Sequence, residues 1–249
     1  MSASAAPEVQ FRSDVTVELV RASAADADVL FAARVSTLGE QTLESAVLGP
    51  AQNEATARDR GLVNYLMRDR HGSPFEHNSM TFYVQAPIFV FREFMRHRIA
   101  SYNEESGRYR ELRPVFYVPG KDRNLVQAGK PGAYEFFPGD KRQHTLVEET
   151  VRAASARAYA DYQKMLAEGI AREVARMVLP LNIYSSMYVT MNARSLMNFL
   201  SLRRRVEGAA FPSFPQREIE MCAEQMEVIW QELMPLTCAA FNDHGRVAP

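Results

Sequence analysis

The hydrophobic period of this chain changes at Pro87 with no loop between, and that junction restricts the possible folds more than any other feature. Over residues 79–86 apolar side chains alternate, with Met80, Phe82 and Val84 on one side, the period of a strand with one buried face. Pro87 then stands where a helix begins and a missing N–H costs nothing. Ile88, Phe91, Phe94 and Met95 form the apolar stripe of that helix. A strand that feeds an amphipathic helix directly predicts layers, sheet against helix.

The rest of the chain fits that frame. Val15, Val17 and Leu19 alternate with Thr16 and Glu18 as an opening strand over 15–20, and residues 24–35 and 56–70 carry helical spacing, the second ending in the stop signal His71-Gly72-Ser73-Pro74. Residues 101–109 form a turn-rich run, followed by a short extended piece near Tyr117 and Val118. A Gly/Pro-rich stretch, 119–138, reads as a loop between two halves. The second half predicts helices over 144–167, 171–179, 193–204 and 216–242, with one strand over 183–191. Regular βαβ alternation and internal repeats are both lacking, so the expected class is α+β, a mixed sheet backed by helices. At 249 residues the chain is expected to hold a flexible tail, 1–13, and a single catalytic domain, 14–249.

A formal charge of −1 removes the global pull that most nucleic-acid binders show, so no nucleic-acid partner is expected, although a local basic cluster still suits a small phosphorylated ligand. Neither GxGxxG nor GxxxxGK[ST] occurs, so neither common phosphate loop explains nucleotide binding. The only cysteines, Cys222 and Cys238, stand in no metal-spacing or redox motif and read as packing thiols in a reducing compartment. The first residues have neither a basic start nor an apolar run, and no window approaches the roughly 18 apolar residues of a membrane span, which predicts a cytoplasmic protein without membrane attachment.

Chemistry concentrates in one stretch. Arg92, Arg96, Arg98, Arg108 and Arg110 fall within nineteen positions, interleaved with Ser101, Tyr102, Asn103, Glu104, Ser106 and Tyr109. Guanidinium groups grip phosphate through paired charge-assisted hydrogen bonds, and hydroxyls with turn N–H groups can complete a cradle. A solvated, charge-balanced loop has the same composition, so spacing leaves both readings open. Glu76 and His77 beside His71 match no helical or Cys/His metal spacing, and no metal site is expected.

Arg96-His97-Arg98, seven further residues, Ser106 and then Arg108-Tyr109 resemble the defining run of the flavin-dependent thymidylate synthases. HGSPFEH at 71–77 resembles a second block of that family, and REVARMVLPLNIY with MNARSLMNFLSLR, within 172–203, a third; the likeness covers roughly residues 33–232. The resemblance implies that family's fold and the reductive methylation of dUMP to dTMP. It implies FAD as cofactor, NADPH as reductant, methylenetetrahydrofolate as carbon donor, and a homotetramer whose sites are shared between subunits. By the same resemblance His71, Ser73, Arg96, His97, Arg98, Glu104, Asn192, Ala193, Arg194 and Asn198 would touch FAD. Glu93, Arg96, Glu104, Glu105, Ser106, Gly107, Arg108, Arg176 and Arg203 would hold dUMP, with Arg203 also stabilising the ionised uracil ring.

Ser106 has no His or Lys on its own turn to activate it, which favours a phosphate or backbone hydrogen bond over a nucleophile; no Pro-Cys-His segment offers a cysteine nucleophile either. Arg194 and Asn198 share a helical face, whereas Arg203, nine residues after Arg194, points roughly opposite, an arrangement that suits sites built between chains. Arg176 has an alternative as the ion-pair partner of Glu173. Two departures from the family stand out: Glu93, where many members carry glutamine, and residues 204–216, a link longer and richer in Pro and Phe than usual. The rival readings are another flavoenzyme on the same scaffold, such as an RNA or nucleotide uracil methylase, a nucleic-acid-binding module using the arginine clusters, and a purely structural protein, which would leave the family-like blocks unexplained.

Overall fold

The computed structural model describes residues 8–38, 56–130 and 133–249. In chain order it contains β1 (Gln10–Arg12), β2 (Thr16–Ser23), α1 (Asp26–Leu38), α2 (Ala57–Arg68), β3 (Ser79–Pro87), α3 (Ile88–Phe94), β4 (Ser101–Glu104) and β5 (Val115–Tyr117). Then follow β6 (Asn124–Lys130), β7 (Ala133–Pro138), α4 (Lys141–Ala167), α5 (Arg172–Ala175), β8 (Tyr184–Met191), α6 (Ala193–Arg203), α7 (Arg217–Leu233) and α8 (Pro235–Asp243). Short 3-10 turns occupy Ser73–Glu76 and Arg176–Val178. One four-stranded sheet has the order β2-β3-β8-β4; β1 and β5 pair in parallel, and β6 and β7 antiparallel. The α+β class expected from the pattern is the observed one, and among the described residues no helix is long and apolar enough to cross a membrane.

The described residues divide into two compact units. The first comprises the described part of Met1–Thr16, with Val84–Arg96 and Asn103–Met187. Its core gathers Leu112, Phe116, Tyr159, Tyr162, Ala175 and Ile183, with Tyr159 edge-on to Phe116 at 6.1 Å. The second comprises Val17–Tyr83 as far as described, His97–Tyr102 and Tyr188–Pro249. It buries Leu196, Phe199, Leu200, Met226, Trp230 and Phe241, the last two edge to face at 5.9 Å.

Local chemistry explains the helix starts. Asp140 accepts from the Gln143 N–H while Gln143 accepts from the Asp140 N–H, both at 2.8 Å, so α4 begins at Lys141, ahead of the expected 144. Thr56 and Asp59 form the same reciprocal cap on α2. Asn192 caps α6 by accepting from the Ser195 N–H at 2.9 Å.

Four expectations need correction. Residues 10–12, placed in a flexible tail, form β1, because the Gln10 N–H donates to the Pro114 carbonyl at 2.7 Å and Phe11 packs against Phe116. Within the expected loop 119–138 lies the β6–β7 hairpin, whose largely exposed strands lack the alternation that marks a half-buried strand. The expected helix 216–242 breaks at Met234, held at φ −136° and ψ 64° by the following Pro235, which opens α8. Met95 leaves the buried stripe: α3 ends at Phe94, Met95 is 46% exposed, and Val90 is buried instead.

Candidate active site

The expected site residues fall into two groups, one in each unit. In the first unit Glu93 lies on α3, and the Arg96 N–H donates to its carbonyl at 3.3 Å. Glu104 ends β4, and the chain is tied beyond it by the Glu105 N–H to the Ser186 carbonyl at 2.8 Å. The Ser186 hydroxyl donates to one Glu105 carboxylate oxygen at 3.2 Å, and Arg110 ion-pairs with the other at 2.9 Å. A turn follows in which the Ser106 carbonyl accepts from Tyr109 and Arg110 N–H groups at 3.1 and 3.2 Å. The Ser106 hydroxyl accepts from the Arg108 N–H at 3.3 Å.

Gly107 is buried at the centre of this turn. A β-carbon there would lie 3.1 Å from Leu112 Cδ1 and 3.3 Å from Arg176 Cδ, so the arginine stem closes over the glycine. Arg108 pairs with Glu173 at 2.9 Å and lies over the Tyr109 ring at 5.7 Å. The glutamate considered as a partner for Arg176 is therefore held by Arg108. Burial raises the Glu104 carboxyl above its ordinary range; the Ser185 hydroxyl and the Arg176 charge act against that rise, and Glu105 adds to it.

The second unit holds the other group. His71 follows α2, donating its N–H to the Leu66 carbonyl at 2.9 Å and stacking its ring on Tyr65 at 5.4 Å. Ser73 is exposed at the start of the 3-10 turn. On α6 the Ala193 N–H donates to Asn78 Oδ1 at 2.8 Å, and Asn198 Nδ2 to the Arg194 carbonyl at 3.2 Å. Arg194 bonds Glu76 at 2.5 Å and the Pro249 carbonyl at 2.6 Å. Its guanidinium lies flat against Gly72, where a β-carbon would come within 2.5 Å of Cζ.

Arg203 has a different neighbourhood. Its Nε–H donates to His97 Nε2 at 3.0 Å, and the His97 ring stands edge-on to Phe199 at 4.9 Å. The Tyr102 hydroxyl donates to the His97 carbonyl at 2.7 Å. Burial, and then the Arg203 charge, hold the imidazole down to about 4. Arg98 is exposed just beyond.

The thymidylate synthase complementing protein family matches residues 18–236. The flavin-dependent thymidylate synthase of Streptomyces coelicolor is 64% identical over 244 residues, 98% of this chain and 97% of that one. The Tropheryma whipplei protein of the same name is 61% identical over 239 residues, 96% of this chain and 97% of its own. This chain belongs to the flavin-dependent thymidylate synthase family. Among solved structures, a UMP/dUMP methylase, PolB from Streptomyces cacaoi bound with 5-Br dUMP, superposes with a TM-score of 0.88 at 54% identity, covering 97% of this chain and 100% of that one. The same protein bound with 5-Br UMP gives 0.87 at 52% identity, again over 97% of this chain and 100% of that one.

As a member of a flavin-dependent family of enzymes, the chain offers two kinds of surface. The 104–110 turn presents the exposed guanidiniums of Arg108 and Arg110 and the half-buried carboxyl of Glu104, a set suited to an anion beside a polar ring. The second group presents Arg194, Asn198 and Arg98 as donors, and holds a His97 imidazole that burial keeps from taking up a proton. Several supporting residues escaped sequence reading. Gly72 was visible only as part of a helix-stop signal, Ser185 and Ser186 only as strand residues, and Asn78 gave no signal of its own; Glu173 was visible as a partner for Arg176, whereas it pairs with Arg108.

Proposed function

We propose that this chain methylates dUMP to dTMP, using FAD, methylenetetrahydrofolate as carbon donor and NADPH as reductant. The observation that carries the reading is 64% identity across 98% of the chain to a flavin-dependent thymidylate synthase. The cysteines agree with a route lacking a covalent enzyme nucleophile: burial pushes the Cys222 thiol far up and Cys238 to about 11, leaving both as thiols near neutral pH.

In this reading Arg96 and residues 104–108 grip the nucleotide with Arg176, and Glu93 lies at the edge of that pocket. The Ser106 hydroxyl, already engaged by the Arg108 N–H, serves the cradle and not as a nucleophile. Arg203 places its positive charge beside the pyrimidine as the ring becomes electron-rich, an electrostatic contribution to the barrier. His71, Ser73, Arg96, His97, Arg98, Glu104, Asn192, Ala193, Arg194 and Asn198 form the FAD surface. They fit the group: Gly72 keeps a flat guanidinium face on Arg194 that any β-carbon would displace, and Arg98 and Asn198 are exposed donors. At Ala193 the backbone N–H already serves Asn78, so contact there falls to other atoms. Bound FAD would supply hydride-transfer chemistry, and the protein's contribution is orientation and charge. Residues 14–249 act as one catalytic domain in a cytoplasmic homotetramer whose sites are shared between subunits.

The test is spectroscopic first. FAD is added to the purified protein, excess is removed, and dUMP is titrated while the flavin bands are followed; dTMP is then assayed with methylenetetrahydrofolate and NADPH. Retained flavin, a band shift with dUMP and dTMP formation are expected. Flavin that washes away with no response to dUMP would overturn the reading. A second reading, favoured by the likeness to the UMP/dUMP methylase, is that UMP is also methylated; a parallel assay with UMP decides it.

A further inference from the structure

Arginine is always charged and has only donors to offer, whereas a neutral imidazole has one donor nitrogen and one acceptor. The Arg203 Nε–H meets His97 Nε2 at 3.0 Å, so Nε2 must carry a lone pair and the ring proton must sit on Nδ1. Two features hold the ring for this task. Phe199, one turn before Arg203 on α6, stands edge-on to it at 4.9 Å, and Tyr102 ties the His97 carbonyl through a 2.7 Å bond. The acceptor and the helix that carries Arg203 are thus fixed to each other through Phe199.

We infer that His97 is the positioning residue for Arg203: its neutral Nδ1–H tautomer accepts the Nε–H and sets the plane of the guanidinium, so that the two Nη groups form the edge offered to the nucleotide. Arginine's long stem has many rotamers, and a bond at Nε removes rotation at the last carbon–nitrogen joint before the plane. This role is additional to the flavin contact given to His97 above. It rests on the reading of Arg203 as the group that meets the pyrimidine.

Two substitutions separate positioning from packing. In His97→Gln the amide oxygen reaches about as far as Nε2 and can accept from Arg203; in His97→Phe the ring volume stays and the acceptor is lost. With rates expressed per bound flavin, both variants lose whatever His97 gives to the flavin, and His97→Gln is expected to lose clearly less kcat than His97→Phe. His97→Phe should lose roughly 10- to 100-fold, the value of one hydrogen bond to a charged group. Added guanidinium should restore turnover to Arg203→Ala and fail to restore it to Arg203→Ala combined with His97→Phe. Equal losses in the two His97 variants, or equal rescue in both backgrounds, would overturn the inference.

A readout independent of turnover uses ring 15N-histidine NMR of the flavin-free protein, with the His97 signal assigned by its absence from His97→Phe. The Nδ1–H tautomer is expected in the wild type, moving towards Nε2–H in Arg203→Leu. An Nε2–H ring in the wild type overturns the inference even in a protein that makes no dTMP. Conversely, an Nδ1–H ring in a wild type that makes none leaves the bond standing and removes the proposed function.

Discussion

The turn at 104–110 and the neighbourhood of α6 hold their functional side chains by different means. In the first, the residues are consecutive, and backbone bonds to the Ser106 and Ser186 carbonyls set the geometry, with exposed arginines in ion pairs around the rim. In the second, the residues come from 71–78, 97–102 and 192–203, and side chains set the geometry: Asn78 on Ala193, Glu76 on Arg194, His97 on Arg203. A backbone-built site tolerates loss of a single side chain, because the turn persists without it. A side-chain-built site should not.

The sharpest way to break this contrast is a pair of truncations assayed for dTMP formation. Arg203→Ala should lower kcat/KM for dUMP by roughly 10²- to 10³-fold, the usual effect of removing a group that stabilises developing charge. Ser106→Ala should lower it by less than about tenfold, since a neutral hydroxyl contributes about one hydrogen bond. A larger effect at Ser106 would reverse the argument.

Paired glycines give the next test. Gly72→Ala drives a β-carbon into the Arg194 guanidinium and should weaken FAD binding by about tenfold through loss of one charge-assisted contact. Gly107→Ala presses on Leu112 and the Arg176 stem, and should cost about 1 kcal/mol of stability while leaving FAD affinity unchanged. Flavin titration and thermal melting, run on both variants, distinguish the two results.

Acid should act on the two regions in opposite directions. The raised pKa of Glu104 means that the fold prefers its protonated form, so its stabilising contribution is complete below the ordinary carboxyl range and is lost as pH rises through the raised value. Glu104→Gln should therefore melt above the wild type at about pH 7, with the gap closing near pH 4. His97 is lowered from 6.5 to about 4, so its contribution is present above 6.5 and is lost as pH falls towards 4. His97→Phe should flatten the fall in melting temperature across that window. A gap for Glu104→Gln that widens on acidification would contradict the burial argument.

The smallest effect is expected at the exposed Arg108–Glu173 pair, with side chains 54% and 52% accessible. Glu173→Gln should change stability by less than about 0.5 kcal/mol and diminish further in salt, as chemical denaturation at low and high ionic strength can measure.

Legibility followed the same division. Strand β3 running into α3 and β8 before α6 were readable, because an apolar period over eight or nine residues reflects which side meets the core. The β6–β7 hairpin was not, since its strands bury little, and the Pro235 break was hidden inside a continuous amphipathic pattern. In the site, the run from Arg96 to Tyr109 declared itself as one block, and likeness to a family supplied the roles of Arg194 and Arg203.

The amino-acid order by itself determined the alternation of strands and helices that marks the α+β class and the helix caps at Thr56, Asp140 and Asn192, each cap made with a residue three positions on. Only the tertiary structure decided which partners those side chains meet. Arg203 and His97 stand 106 positions apart, and no periodicity links residues at that separation. The tautomer, the lowered basicity and the orientation of the guanidinium arise only when packing brings α6 and residues 97–102 together and removes water from between them.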